Sequence, residues 1–393
     1  MPRRLALVLL LGFGAIVGAA IVEVGLRLRP IPDVDLGHVE SDPILHHRLR
    51  KSWRGRVLGV PFETNALGLR DREYDARKPV GTYRVFMLGD SFTEGGGFPL
   101  DDTVAKRVER GLAQAHCGKR VEVVNGGTVS YSPILEYLQL KTIGLGLSPD
   151  LIVLNFDMTD VHDDVVRTPA ARLDAQGLPI AVPSDRRIEA AVMLPPLRKP
   201  RLLGFLDPVE RGVNRLLIYQ EVRSSRLGRA VFGPLKVTPE RVQTLGLVGD
   251  ARYDIEAITR DGQWPGGRAA WALTERYITA IHRLALTHDA RFVLVVYPHA
   301  QQVSATASLM GRRFVGLGPG LYASERPFEI LEGLGSREGF PVVNLLHLFR
   351  MRESREGPLF REDDIHHTAA GARVFAEGIL AALLERRLVP CGS

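Results

Sequence analysis

Serine, histidine and aspartate side chains lie at distant points of the chain, in patterns that suit nucleophilic catalysis. Ser91 follows an apolar run, Val85 to Leu88, in the stretch RVFMLGDSFTEGGG. Near the other end, the stretch REDDIHHTAAG places Asp363 three residues before His366. A carboxylate that orients an imidazole, and an imidazole that takes the proton of a serine hydroxyl, would together activate that serine for acyl transfer.

Both stretches also have a purely structural interpretation. Gly-Asp-Ser is a common turn sequence, and an Asp-x-x-His pair is common at a solvated helix N-terminus, where acidic residues are favoured. On a helical turn Asp363 and His366 would lie on the same side, and Asp364 and His367 have the same spacing. The elements around these residues must decide between catalysis and local structure.

The elements around Ser91 predict a parallel sheet. The apolar run before Gly89 is typical of a buried strand, and similar runs occur in RVEVVN, DLIVLNF and RFVLVVY, with a short one at 339–346. Helices are predicted at about 103–115, 131–147, 268–288 and 368–387. This alternation predicts a doubly wound α/β fold, in which ligands bind beyond the carboxyl ends of the strands. Ser91 would lie at that edge.

Outside this pattern the chain is less regular. The sheet domain is predicted over 81–393, with an insertion at about 165–267 where the periodicity breaks. The insertion is either a cap over the site or a surface excursion. Residues 25–80 are predicted to be a connector, in which Asn65 to Arg70 forms a turn and a short extended piece against the domain.

Composition excludes several kinds of partner. The chain has 393 residues, 45% hydrophobic and 24% charged, which is typical of globular proteins. The net charge is +6, but basic residues are scattered and aromatic residues make up 7%, so nucleic-acid binding is not expected. Two cysteines, far apart, are too few for a zinc site, and no metal or organic cofactor is implied.

The N-terminus predicts a membrane anchor. A basic start, MPRR, precedes a run from Leu5 to Val22 without charged side chains. As a helix this run would be about 27 Å long, close to the ~30 Å hydrocarbon core. We therefore predict a transmembrane signal-anchor over residues 1–24, with the bulk of the chain in the periplasm or at the cell surface. A cleaved signal peptide and a buried soluble helix are the alternatives.

Four short blocks, in order, carry a resemblance to a known family. They are Gly89-Asp90-Ser91, Asn125-Gly126-Gly127, Asp157-Met158-Thr159-Asp160 and Asp363-Asp364-Ile365-His366. The chain resembles the SGNH (GDSL-type) hydrolase superfamily over about residues 80 to 388. Gly371, five residues after His366, also fits the family and selects His366 over His367. The N-terminal run and the stretch NALGLRDREY resemble a bacterial membrane-anchored branch of that superfamily.

The resemblance implies a flavodoxin-like three-layer sandwich and a set of roles. Ser91 would attack an ester carbonyl, His366 would take its proton, and Asp363 would orient His366. The backbone N–H groups of Ser91 and Gly127 would hold the oxyanion.

One position departs from the family pattern. Thr159 stands where the family has an asparagine whose amide donates to the oxyanion. Asn155, four residues earlier at a strand end, is a possible substitute.

The resulting prediction is an extracytoplasmic serine esterase. It would hydrolyse a carbohydrate- or lipid-linked acyl ester through an acyl-enzyme. The first alternative is an O-acyltransferase that modifies a cell-surface glycan. The second is a catalytically weak binding or assembly protein with the same fold, which Thr159 favours.

The cysteines give a structural prediction. Cys117 follows the first helix of the predicted sheet domain, and Cys391 follows the last. In a doubly wound fold both helices run from the active-site edge to the opposite edge and often pack side by side. An oxidising compartment would then permit a Cys117–Cys391 disulfide.

Overall fold

The computed structural model describes residues 3–28, 37–115, 117–184, 255–262, 267–314, 317, 319–362 and 364–391. The chain divides into two compact units. One comprises Met1–Asp33 and Asp185–Asp250, and its described part is a single helix, α1 (Arg3–Leu28). The other comprises Val34–Ser184 and Ala251–Ser393 and holds all the other elements described below.

The strands of this larger unit, in chain order, are β1 (Val39–Asp42), β2 (His46–Leu49), β3 (Arg54–Val57), β4 (Val60–Glu63), β5 (Thr82–Leu88), β6 (Arg120–Asn125), β7 (Leu151–Phe156), β8 (Arg172–Leu173), β9 (Pro179–Ala181), β10 (Arg291–Val296) and β11 (Val342–Asn344). Its helices are α2 (Ser91–Glu94), α3 (Val104–Gln114), α4 (Pro133–Thr142), α5 (Thr159–Arg167), α6 (Ile255–Arg260), α7 (Gly267–Leu286), α8 (Ala300–Val303), α9 (Leu309–Phe314), α10 (Arg326–Glu338), α11 (Leu346–Glu356) and α12 (Ala369–Glu385). Short 3₁₀ helices lie at Leu100–Asp102, Gly144–Leu147 and Thr168–Ala170.

A parallel sheet in the order β11-β10-β7-β5-β6 forms the centre of the unit. Its register places Phe86 of β5 between Val124 of β6 and Ile152 of β7. The middle strands are buried along almost their whole length, because helices cover both faces of a parallel sheet. The predicted doubly wound parallel sheet is confirmed. Its strand order reverses direction beside β5, where such folds bind ligands.

Helices form a layer on each face of the sheet. On one face α3 packs against α12, and on the other α7 packs against α4 and α5. Helix α3 begins at Val104 because the hydroxyl of Thr103 accepts the Lys106 N–H as an N-cap. An apolar core of buried side chains lies between the sheet and the layer of α3 and α12.

The predicted connector, 25–80, is divided between the two units: its first residues end α1, and residues 37–80 belong to the larger unit. Residues 37–80 form two antiparallel hairpins, β1–β2 and β3–β4, followed by a turn. The Oδ1 of Asn65 accepts the Leu67 and Leu69 N–H groups, each at 3.0 Å. Gly68 has φ +77°, and a Cβ there would lie 2.6 Å from the Leu49 carbonyl oxygen. The turn predicted at Asn65–Arg70 therefore forms, and it lies against the domain as expected.

The predicted insertion at 165–267 is described in part. The hairpin β8–β9 and helix α6 belong to it. Residues 185–254 and 263–266 lie outside the described residues, so the predicted cap is neither supported nor contradicted.

Helix α1 carries exposed apolar side chains, among them Leu10, Leu11 and Phe13. In the described part of the chain, no helix combines the length and the apolar composition that crossing a membrane requires. The transmembrane helix predicted over residues 1–24 is therefore not supported.

The predicted disulfide is present. Cys117 and Cys391 are bonded, with their Cα atoms 3.8 Å apart. Since α3 packs along α12, the two segments that follow these helices meet at the same end of the sheet. The bond joins residues 274 positions apart.

Candidate active site

Ser91 lies at the carboxyl end of the central strand β5. The carboxylate of Asp90 caps α2 by accepting the Phe92 N–H at 2.9 Å, so Ser91 becomes the first residue of a one-turn helix. A Cβ at Gly89 would overlap the side chain of Thr93. Only glycine fits this tight turn, and the turn presents the Ser91 hydroxyl at the sheet edge.

Ser91 and His366 come together although they are far apart in the sequence. The Oγ of Ser91 lies 2.7 Å from Nε2 of His366. The Nδ1 of His366 lies 2.8 Å from Oδ1 of Asp364. Donation of the Nδ1 proton to the carboxylate assigns the tautomer in which Nε2 accepts the serine proton.

A carboxylate next to the predicted one contacts His366 in the structure. Asp363 was predicted to orient His366, and Asp363 lies outside the described residues. Asp364 occupies that place in the structure. Phe360 and His367 pair across this segment as an isolated antiparallel bridge. The assignment of Asp363 stays a prediction.

Asp364 is suited to its position. Its side chain is about one-third exposed. Burial raises the pKa of Asp364, but the hydrogen bond from His366 and the charge of its ring outweigh burial and hold that pKa below its usual value. Asp364 therefore stays ionised and can stabilise an imidazolium at His366.

His367 has a structural role. Its ring is buried among aromatic rings, with the centroid of Phe92 at 4.7 Å and that of Phe349 at 5.2 Å. Burial, followed by the charges of His366 and His299, lowers its pKa well below the usual value. His367 is a neutral core residue, as the choice of His366 required.

The predicted oxyanion donor Gly127 is already bonded. Its N–H donates to Oδ1 of Asn125 at 2.9 Å. A Cβ at Gly127 would overlap the backbone of Thr93 and Glu94. Close packing against α2 therefore explains the glycine, and its assignment as an oxyanion donor is not supported.

The other two predicted side-chain donors are also bonded within the protein. Both the N–H and the hydroxyl of Thr159 donate to Oδ1 of Asp157 at 2.6 Å. The Nδ2 of Asn155 donates to Oγ1 of Thr93 at 3.0 Å, so Asn155 is structural. Among the predicted donors, the Ser91 N–H stays available, because the first N–H groups of a helix have no partner within it.

Sequence reasoning missed a buried layer beneath the site. The hydroxyl of Tyr297 donates to Oδ1 of Asp90 at 3.1 Å, and Nε2 of His299 lies 3.1 Å from Oδ2 of Asp157. Burial and the charge of Asp157 raise the pKa of Asp90 well above its usual value. Burial also acts to raise the pKa of Asp157, but His299 outweighs it and the pKa falls. The sequence held one indication of this layer: Tyr297 and His299 directly follow β10, at the carboxyl edge of the sheet where Ser91 lies.

Within the described ranges, no three histidine, cysteine or carboxylate side chains are arranged as metal ligands. The acidic side chains beneath Ser91 bond to protein groups instead. Asp160, for example, accepts the Asp157 N–H at 3.2 Å. The chemistry that this site offers is that of a nucleophilic hydroxyl and a proton-transferring imidazole.

No protein-family model and no curated protein matches the chain. Among solved structures it is similar to LAE5, an alpha/beta hydrolase enzyme from the metagenome of Lake Arreo, Spain (12% identity, 76% of this chain and 94% of that chain covered, TM-score 0.40). It is also similar to the acetyl xylan esterase AlAXEase, with 12% identity, 76% of this chain and 99% of that chain covered, and a TM-score of 0.39. A lipase/acylhydrolase from Enterococcus faecalis is similar too, with 11% identity, 77% of this chain and 96% of that chain covered, and a TM-score of 0.37. At these values the likeness is general, and the chemistry of the site rests on the geometry above.

Proposed function

We propose that this protein is a serine ester hydrolase of the SGNH (GDSL) type. The observation that carries the proposal is the chain of contacts from Ser91 through His366 to Asp364. Each contact has the distance of a hydrogen bond, and the three side chains occupy the roles of nucleophile, base and orienting carboxylate.

The reaction follows from these contacts. Oγ of Ser91 forms a bond to the ester carbonyl carbon while its proton moves to Nε2 of His366. His366 then gives that proton to the leaving alcohol oxygen as the ester C–O bond breaks, which leaves an acyl-enzyme. A water molecule gives a proton to Nε2 of His366 as its oxygen bonds to the acyl carbon. The bond from that carbon to Oγ of Ser91 then breaks, and His366 returns the proton to Oγ, which releases the acid and free Ser91.

We further propose a carbohydrate- or lipid-linked acyl ester as substrate and a location outside the cytoplasm. The disulfide between Cys117 and Cys391 supports the location, because such bonds persist in oxidising compartments. The substrate class rests on the family resemblance of the sequence blocks.

A second candidate is a catalytically weak binding or assembly protein. It is favoured by the hydrogen bonds that already occupy the Gly127 N–H and the Thr159 hydroxyl. The loss of one oxyanion donor costs about 10²–10³ in rate. This candidate keeps Ser91 in place and predicts turnover that is slow or below detection.

Hydrolysis of a short-chain aryl ester tests the two candidates. The full chain is compared with Ser91→Ala and with Ser336→Ala, a control on the exposed face of α10. The hydrolase predicts turnover that disappears in Ser91→Ala and persists in Ser336→Ala. Equal turnover in Ser91→Ala would refute the proposal. No turnover by the native chain on a broad panel of acyl esters would favour the second candidate, and faster transfer to an added sugar acceptor would indicate an acyltransferase.

A further inference from the structure

Helix α2, which begins at Ser91, is too short to be stable without contacts from other parts of the chain. Helix α2 spans one turn, Ser91–Glu94, and three glycines follow it. A single turn has little stability of its own, and its last carbonyl groups have no partner within the helix. Some other part of the chain must fix α2 if Ser91 is to stay 2.7 Å from His366.

Arg70 binds the carbonyl groups at the end of this helix. Its Nη1 donates to the Glu94 carbonyl at 2.9 Å and also to the Gly95 carbonyl. Its Nη2 donates to the Phe98 carbonyl. The planar guanidinium thus spans the loop with two nitrogens, which a lysine ammonium could not do.

Arg70 is enclosed by the protein. It is 1% exposed, and its guanidinium carbon lies 4.4 Å from the centroid of the Phe62 ring. Gly95 has φ +75°, and a Cβ there would lie 3.3 Å from Nη1 of Arg70 and 2.8 Å from Cγ2 of Thr103. The loop and the arginine therefore fit closely, with no room for a substrate between them.

The residue after Arg70 fixes the neighbouring loop. The carboxylate of Asp71 accepts the Asn125 N–H at 2.8 Å and lies 2.8 Å from Nζ of Lys106. Asn125 ends β6, and its side chain holds the Gly127 N–H. The pair Arg70-Asp71 thus binds the loop after α2 and the loop after β6, which flank Ser91.

We propose that Arg70 is a positioning residue for Ser91, acting through the carbonyl groups of residues 94, 95 and 98. The turn 65–71 is then part of the catalytic scaffold. This inference rests on the proposed hydrolase function. Its effect falls on kcat, since Arg70 lies behind the loop and contacts no substrate.

Removal of Arg70 can be compared with removal of a matched arginine. Arg84 is also 1% exposed, and its guanidinium also forms hydrogen bonds through two nitrogens. Its Nη2 donates to the Glu122 carboxylate, and its Nη1 donates to the Leu147 carbonyl. It lies near the start of β5, at the edge of the sheet opposite Ser91. Arg84→Ala therefore removes an equally buried guanidinium without touching the α2 loop.

The experiment measures kcat and KM of the full chain, Arg70→Ala and Arg84→Ala, with and without millimolar guanidinium. An ångström-scale displacement of Ser91 lowers kcat about 10²-fold in Arg70→Ala, with KM little changed. Guanidinium restores a large part of the loss there and has no effect on Arg84→Ala. A kcat in Arg70→Ala within about threefold of native, or equal rescue of both variants, would overturn the inference.

Two further measurements keep the test decisive. If Arg70→Ala does not fold, Arg70→Lys is measured in its place. We expect its kcat to be about tenfold lower than that of the native chain, and an unchanged kcat would overturn the inference. Amide hydrogen exchange of residues 95–98 tests the positioning without any substrate. Exchange should be faster in the Arg70 variant and native-like in Arg84→Ala, and native-like exchange in both would overturn the inference. Absence of turnover by the native chain would instead refute the proposed function.

Discussion

At the scale of single residues, the site depends on which carboxylate faces His366. Asp364 has the required distance, and its pKa is held low by its contact with the ring. An ionised acceptor fixes the tautomer of His366 and stabilises the imidazolium that forms during attack. The structure places Asp364 at Nδ1, and the assignment of the adjacent Asp363 stays a prediction.

Replacement of Asp364 by asparagine should therefore reduce activity strongly. Because the amide no longer favours the productive tautomer, we expect Asp364→Asn to lower kcat by about 10³–10⁴. Asp363→Asn is the matched control and should change kcat less than about tenfold. Steady-state ester hydrolysis measures both, and a larger loss in Asp363→Asn would restore the sequence-based assignment.

Thr159 gives a second prediction at this scale. Its hydroxyl donates to Asp157, so it does not serve the oxyanion. Thr159→Val should change kcat by less than about tenfold, whereas removal of an oxyanion donor costs about 10²–10³. Steady-state ester hydrolysis measures this effect. A loss of kcat of about 10²–10³ would show that the hydroxyl turns towards the substrate during catalysis.

At the scale of elements, the contact between α4 and α5 buries acidic side chains. Glu136 of α4 and Asp164 of α5 are both completely buried. In the described part of the chain, both Glu136 carboxylate oxygens and the Asp164 Oδ2 have no hydrogen-bond partner. Burial raises the pKa of Asp164 to about 7, and burial followed by the charge of Asp164 raises that of Glu136. Folding therefore favours the protonated forms.

This burial makes stability depend on pH. A carboxyl group whose pKa rises on folding stabilises the protein fully below its unfolded pKa, about 4, and loses that contribution as pH rises to its folded pKa. For Asp164 the loss spans pH 4 to about 7. We expect the thermal midpoint of Asp164→Asn to fall less between pH 5 and pH 8 than that of the native chain. Parallel pH curves for the two proteins would contradict this account.

At the scale of the whole molecule, the disulfide ties the first helix of the sheet domain to the last. It joins segments 274 residues apart, next to the packed pair α3 and α12. Cys117 lies just before β6 begins, so the bond is at the edge of the sheet opposite Ser91. It should therefore support stability without taking part in catalysis.

The double variant Cys117→Ser/Cys391→Ser tests this separation. We expect its free energy of unfolding to fall by about 2–5 kcal/mol, with kcat at 25 °C unchanged. Urea denaturation and ester hydrolysis give the two values. A loss of kcat in the fully folded variant would mean that the bond influences the site.

The sequence predicted the parts of this molecule that depend on local patterns. Strand β6 was predicted with the bounds that it has, Arg120–Asn125, because β-branched residues in a short run are typical of a buried strand. Ser91 and His366 were predicted from short blocks that resemble those of a known family, and the structure brings their side chains together. The parallel direction of the sheet strands followed from the alternation of strands and helices.

Contacts between segments that are far apart in the chain could not be predicted from the sequence. The contact between Asp364 and His366 lies beside a bridge between Phe360 and His367, and the His367 ring in that bridge packs against Phe349. The carbonyl groups that Arg70 binds lie 24 to 28 residues away. The hydrogen bonds that Gly127 and Thr159 form within the protein were not predicted for the same reason, since their acceptors depend on side-chain directions that spacing does not determine.

The most direct test of the central claim is covalent labelling of Ser91 by an alkyl fluorophosphonate. Oγ of Ser91 would form a bond to phosphorus, fluoride would leave, and His366 would take the proton, so no knowledge of the natural substrate is needed. We expect one adduct by intact-protein mass spectrometry, located on the peptide that contains Ser91 and absent in His366→Ala. A folded native chain without an adduct at Ser91, or equal labelling in His366→Ala, would contradict it.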